Sequence, residues 1–289
     1  MKKLMFAAAA IAAGVAVADV QSANIVGYQT KSVAETGLWT LGSGFLTTGT
    51  TTDSFNIQSL IPSFPEEAED PLGNDEAQIQ QLLPGGSIGI IYYYRLTGNV
   101  AKGFDGPGWY TVDEKTGNMT KSDKTFVRGE GFLYYAPDPW IDGPDGEIYP
   151  PSKLQSSGEV NLDAKTIRIA ETGVWALSPD RATSLDIQKI VPTFPEEAED
   201  PLGNDEAQIQ ELLPGGSIGV IYYYRLTGNV AKGFNGPGWY TVDEKTGNMT
   251  KSDKAIGAGE GIFYYAPDPY MIGDDDEDVY LPSYLTFQE

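Results

Sequence analysis

The chain carries the same segment twice. Residues 64–124 read FPEEAEDPLGNDEAQIQQLLPGGSIGIIYYYRLTGNVAKGFDGPGWYTVDEKTGNMTKSDK and return 130 positions later as residues 194–254. Only three of those 61 positions differ: Gln81 becomes Glu211, Ile90 becomes Val220 and Asp105 becomes Asn235. A repeat of this length means one module written twice, each copy of about 130 residues and large enough to bury its own core. Any function is therefore a function of two like modules. The expected division is a leader over 1–18, a first module over 19–150, a linker over 151–159 and a second module over 160–289.

Strand signals recur along both copies. Ile88 to Leu96 (IGIIYYYRL) is dense in β-branched and aromatic residues, and Pro84-Gly85-Gly86 before it supplies a turn. Residues 77–83, 109–112, 118–121 and 132–136 read as further strands, although QIQQLL within the first also fits a helix, with DEKTG at 113–117 as a hairpin-type turn. Residues 55–61 (FNIQSLI) and 185–191 (LDIQKIV) read either as a short helix, with Asp53, Ser54 or Ser184 as N-cap, or as a strand. No long segment has a 3.6-residue period. The expected fold class is all-β: two tandem homologous β-sandwich or partly open β-barrel modules, with at most one short helix each. Trp39 and Trp175 occupy equivalent positions and read as core.

Residues 1–18 (MKKLMFAAAAIAAGVAVA) have a two-lysine start, an Ala-rich apolar stretch too short for a membrane span, and an Ala-x-Ala end. That is the pattern of a secretory signal peptide cleaved before Asp19. The expected location is secreted: extracellular, cell surface or periplasm. With no cysteine and no histidine, thiol chemistry, iron–sulfur clusters, Ser–His triads and the usual zinc and haem ligands are excluded. The charge is −22, from 41 acidic against 19 basic residues, and −24 once a leader with two Lys and no acid is removed. Nucleic acid is a poor partner for such a chain, since binding it needs a basic footprint. No later apolar run is long enough to span a membrane.

Certain motifs resemble a group of uncharacterised secreted proteins of the Verrucomicrobia–Lentisphaerae bacteria. They are residues 22–28 (SANIVGY), Trp39, Ile79-Gln80, Tyr92-Tyr93-Tyr94, Gly108-Trp109-Tyr110, and Gly129 to Phe132 with Tyr134. The second copy departs at 160–164 (VNLDA) and has Ile262 where the first has Phe132. The resemblance implies a secreted β module and no catalytic residues.

Two sets of residues are candidate sites. Consecutive Tyr on a strand must point to both faces, so some of the Tyr and Trp are expected outward, where their rings could stack on sugar. The candidates are Tyr93, Trp109 and Tyr110, with Tyr223, Trp239 and Tyr240; ordinary cross-strand packing is the plainer reading. Acidic loops offer oxygen ligands for calcium at Asp70, Asn74 and Asp75, repeated as Asp200, Asn204 and Asp205, although none has EF-hand spacing. A solvated loop is the plainer reading there too, and no other cofactor is expected.

The copies differ mostly at their ends: the first strand, the Thr-rich loop, and the segment after Lys124 or Lys254. Those ends are expected to form module–module or subunit contacts. The sequence reads as a non-enzymatic β-repeat protein of the cell surface or matrix, acting by assembly or adhesion on itself or other surface proteins. A carbohydrate-binding protein that takes polysaccharide on exposed Tyr and Trp is the alternative, and a hydrolase with paired carboxylates a more distant one.

Overall fold

The computed structural model describes residues 26–33, 37–46, 54–63, 77–136, 141–143, 146–148, 152–160, 163–194, 207–267, 270–272, 278–280 and 282–288. Among them there is no α-helix. The first module runs through thirteen strands: β1 (Val26–Val33), β2 (Gly37–Leu41), β3 (Ser54–Asn56), β4 (Ile61–Ser63), β5 (Gln78–Leu82), β6 (Ile88–Arg95), β7 (Gly108–Val112), β8 (Met119–Lys121), β9 (Thr125–Val127), β10 (Phe132–Ala136), β11 (Ile141–Gly143), β12 (Gly146–Ile148) and β13 (Ser152–Glu159). The second repeats them in the same order: β14 (Lys165–Ile169), β15 (Gly173–Leu177), β16 (Leu185–Asp186), β17 (Ile190–Thr193), β18 (Gln208–Leu212), β19 (Ile218–Arg225), β20 (Gly238–Val242), β21 (Met249–Lys251), β22 (Ala255–Ile256), β23 (Ile262–Ala266), β24 (Tyr270–Ile272), β25 (Asp278–Tyr280) and β26 (Ser283–Phe287).

Each module is an open antiparallel two-layer structure with no closed barrel. Six strands form one layer in the order β2-β10-β5-β6-β7-β8, and β15-β23-β18-β19-β20-β21 in the second copy. Three form the other, β1-β13-β4 and β14-β26-β17. The hydrophobic core lies between the layers: Val33 and Leu154 come from the small sheet, and Ile79, Tyr92, Tyr94, Trp109 and Tyr134 from the large one. Residues 151–159, expected as a linker, hold β13, which pairs with β1 along its whole length and with β4 on the other side. Its buried residues alternate (Ser152, Leu154, Ser156, Gly158), as in a strand with one face on a core. The Pro-, Gly- and Ser-rich stretch 142–159 also reads as holding a short edge strand. β13 is instead eight residues long and paired on both sides, an extent that its polarity obscures, since three of its four inward residues are Ser or Gly.

The 55–61 segment is neither one helix nor one strand. It is β3, a single 3₁₀ turn at Ile57–Ser59, and β4. Asn56, not Asp53 or Ser54, caps that turn, its side-chain oxygen accepting from Gln58 N at 2.8 Å. Asp186 does the same for Gln188 N at 2.9 Å in the second copy.

The two modules pack on each other about a pseudo-two-fold axis. Gly261 N donates to Thr40 O and Gly131 N to Ala176 O, both at 3.0 Å. Gly42 N donates to Gly259 O at 3.1 Å and Ser178 N to Gly129 O at 2.9 Å. In each direction the second strand of one module thus takes as neighbour the Gly-Glu-Gly turn of the other. The β5–β6 and β18–β19 hairpin tips reach across as well: Leu38 N donates to Pro214 O at 2.8 Å, and Gly85 lies against Gly173. The divergent ends are where the copies meet, as expected. Lys31 of β1 pairs with Glu260 at 3.8 Å, Arg128 donates to the Asp163 carbonyl, and Gly129 N donates to the Asp180 carboxylate.

Candidate functional sites

The three consecutive Tyr of β6 divide between the faces of the large sheet. Tyr92 and Tyr94 enter the main core, while Tyr93 packs half-buried against a satellite cluster of Phe104, Tyr110 and Met119 on the other face. Four of the six aromatic candidates face inward, which corrects the expectation that they are presented to a ligand. Trp109 and Trp239 have no exposed surface and Tyr110 and Tyr240 almost none. Trp109 stands edge-on to Tyr94, ring centroids 5.3 Å apart, and its indole N–H donates to Leu60 O at 2.6 Å. Trp239 does the same with Ile190 O at 2.5 Å. Tyr110 donates its hydroxyl to Gly106 O at 2.9 Å, as Tyr240 does to Gly236 O. Only Tyr93 and Tyr223 keep partial exposure, each beside an arginine (Arg95 and Arg225) whose guanidinium lies 6.0 and 5.8 Å from its ring centre.

Trp39 and Trp175 are half-buried at the margin of the core rather than within it. The calcium candidates Asp70, Asn74, Asp75, Asp200, Asn204 and Asp205 lie outside the described residues. Among the described residues no group of three or more acidic side chains is placed to hold a metal, and no helix is long and apolar enough to cross a membrane.

A structural pair missed in the sequence is Gln58 and Gln188. The Gln58 amide donates to Trp109 O at 2.9 Å and Ser122 O at 2.8 Å, and its oxygen accepts from Trp109 N at 3.1 Å. Gln188 repeats all three bonds. The signal was present: Ile-Gln stays the same in the two copies while Phe55, Asn56 and Ser59 become Leu185, Asp186 and Lys189.

Two surface features remain after this accounting. The first is apolar and occurs in both modules. The register of β6 on β5 slips by one residue between Ile91 and Ile88 (Gln80 pairs with Ile91, Leu82 with Ile88), so Ile88 falls on the face of Tyr93, away from the core, and Gly89 is turned towards Leu83. Ile88 and Ile90 are 44% and 51% exposed, and Leu83, across the turn, is 37% exposed. Leu213, Ile218 and Val220 repeat the set at 40%, 40% and 44%.

The second feature is a pocket of about 150 Å³ between the modules, with Lys31, Trp39, Thr40 and Leu41 on one wall and residues of β18, β19, β22 and β23 on the other. Its charges are tied together. Lys254 Nζ lies 3.3 Å from Glu211 and 3.9 Å from Glu260, and Glu260 also accepts from Gly257 N at 2.9 Å. Burial pulls the Lys254 pKa down, but Glu260 and Glu211 outweigh it and leave the ammonium above its ordinary value. Burial holds the Tyr222 hydroxyl above its usual range. Two lysines and two glutamates balance in the network, so it adds no net formal charge to the pocket.

No protein-family model, curated protein or solved structure matches the chain.

Proposed function

We propose that this is a secreted, non-enzymatic β-repeat protein of the cell surface or extracellular matrix that acts by assembly with copies of itself. The observation that carries this reading is the pair of apolar hairpin ends, Leu83 with Ile88 and Ile90, and Leu213 with Ile218 and Val220, exposed in both modules. Large apolar side chains gathered at a hairpin end away from the core stay in solvent unless another molecule covers them. Because the modules are held together by reciprocal backbone hydrogen bonds, the two ends belong to one unit, and a chain with two equivalent contact sites can link two neighbours. The leader-like residues 1–18 and the resemblance to the secreted bacterial group point to the same setting.

The test is size-exclusion chromatography with light scattering on residues 19–289 over a hundredfold range of concentration, about 1 to 100 µM, where weak protein contacts titrate. Mass should rise with concentration, and the double variant Ile90→Lys with Val220→Lys should remain monomeric. A wild-type chain that stays monomeric throughout would overturn the reading.

A further inference from the structure

The inter-module pocket lies where the copies have diverged, and the direction of that divergence is informative. In the first module the positions equivalent to Ile256 and Ile262 are Phe126 and Phe132. Those rings sit 5.3 Å apart and pack on Phe55 at 5.0 and 6.3 Å. The second module has Leu185 in place of Phe55, so all three rings become shorter aliphatic chains, and Ile256 and Ile262 line the open space. Of only three changes in the 61-residue repeat, one, Gln81 to Glu211, also falls on this pocket and supplies a partner for Lys254. On the facing wall Lys31 stands where the equivalent residue is Ile167, and Thr40 where it is Ala176. Relative to its twin, this side has lost aromatic volume and gained hydrogen-bonding groups.

We infer that the pocket binds a neutral polyhydroxylated ligand the size of one sugar ring. The volume sets the size, since a partly open pocket of about 150 Å³ admits one ring, with its substituents reaching towards the mouth, and not a longer chain. The polar groups set the class. Glu211 and Glu260 accept hydrogen bonds and Lys31 and Lys254 donate them, so a ligand carrying both donors and acceptors on adjacent atoms is matched all round, as hydroxyls are. A charged ligand would have to break an ion pair already made. Trp39 and the aliphatic floor offer an apolar surface for the C–H face of the ring. This site is distinct from the apolar hairpin ends and does not depend on assembly.

The test is saturation-transfer NMR on residues 19–289 with the methyl glycosides of glucose, galactose, mannose and N-acetylglucosamine. At least one should bind with a Kd of about 10 mM or tighter, the range open to a ligand of so few atoms. An oligosaccharide ending in that ring separates the natural sources: tighter binding indicates a chain end, weaker binding a free sugar. Two variants restore residues that the first module already carries. Ile256→Phe with Ile262→Phe should refill the space and weaken binding at least tenfold, and Glu211→Gln should weaken it on its own. Near-ultraviolet circular dichroism checks that each variant is folded. The inference is overturned if no glycoside binds, if binding persists unchanged in folded forms of both variants, or if a simple amine such as butylammonium binds more tightly than every glycoside.

Discussion

Gly42 and Ser178 hold the same position in the two modules and face each other across the pseudo-two-fold axis. A Cβ built on Gly42 would overlap the Ser178 hydroxyl, which itself accepts from Asp180 N at 3.0 Å. The modules approach this closely because one of the two equivalent residues has no side chain. Gly42→Ser, which would make the positions identical, should destabilise the protein by about 1–3 kcal/mol through overpacking. Gly42→Ser combined with Ser178→Gly should recover most of the loss. Urea unfolding of the single and double variants measures both.

The buried indoles give a second expectation. Trp109→Phe removes the donor to Leu60 O and leaves that carbonyl without its partner, besides reducing ring volume. The cost should be about 2–4 kcal/mol, combining an unsatisfied buried acceptor with a small cavity. Trp239→Phe should cost a similar amount, because Ile190 O stands in the same relation to it. If either change altered stability by less than about 0.5 kcal/mol, the usual range for surface substitutions, the core position of the indole would be wrong.

Tyr134 and Tyr264 are fully buried and their hydroxyls meet no protein partner. Burial raises both hydroxyls far above the ordinary 10.0. The folded state thus holds these protons where the unfolded chain gives them up. Their contribution to stability is complete below about pH 10 and is lost as pH climbs towards the raised values. Unfolding free energy should therefore fall steeply above about pH 10, where the unfolded tyrosines ionise. Tyr134→Phe with Tyr264→Phe should be neutral or stabilising by about 1 kcal/mol at neutral pH, since no hydrogen bond is lost. It should also lessen the alkaline fall, which denaturant titrations at about pH 7 and pH 10.5 would register.

The Glu211–Lys254 pair is about one-third exposed on both sides. Solvent screening keeps such a pair to about 0–1 kcal/mol. Glu211→Gln should therefore shift the thermal midpoint by only a few degrees. That shift should shrink further in about 1 M salt, where the screening length falls to about 3 Å. Scanning calorimetry at low and high salt is the check. A loss larger than about 2 kcal/mol would mean that Glu211 carries more than a screened ion pair.

Much of this architecture was legible in the sequence because its cause is local. The duplication gave two modules, β-branched and aromatic runs gave the strands β6 and β10, and the period of two required Tyr92-Tyr93-Tyr94 to divide between faces. The 3₁₀ turn at Ile57–Ser59 was less clear because seven residues around one cap fit helix and strand equally well. The full extent of β13 was hidden because its inward residues are mostly small and polar, so its burial depends on what covers it. The aromatic candidates failed for a related reason. A Gly-Trp-Tyr strand shows that two large rings lie on opposite faces, but not that both faces are covered; Leu60 and Ile57 close over Trp109, and Phe104 and Met119 over Tyr110.

By itself the sequence determined the repeat, the strand-rich class, the acidic charge and the absence of thiol and imidazole chemistry, all of which follow from residue identity and short-range spacing. Only the tertiary structure decided which aromatics are buried, that residues 152–159 close the first module, and that the two Gly-Glu-Gly turns bind the modules to each other. The pocket also belongs to the tertiary structure, since Lys31 and Glu211 are 180 positions apart in the chain. They line facing walls of one pocket because near-identical modules pack about a shared axis, and that axis is a property of how two surfaces fit, which no single stretch of either surface encodes.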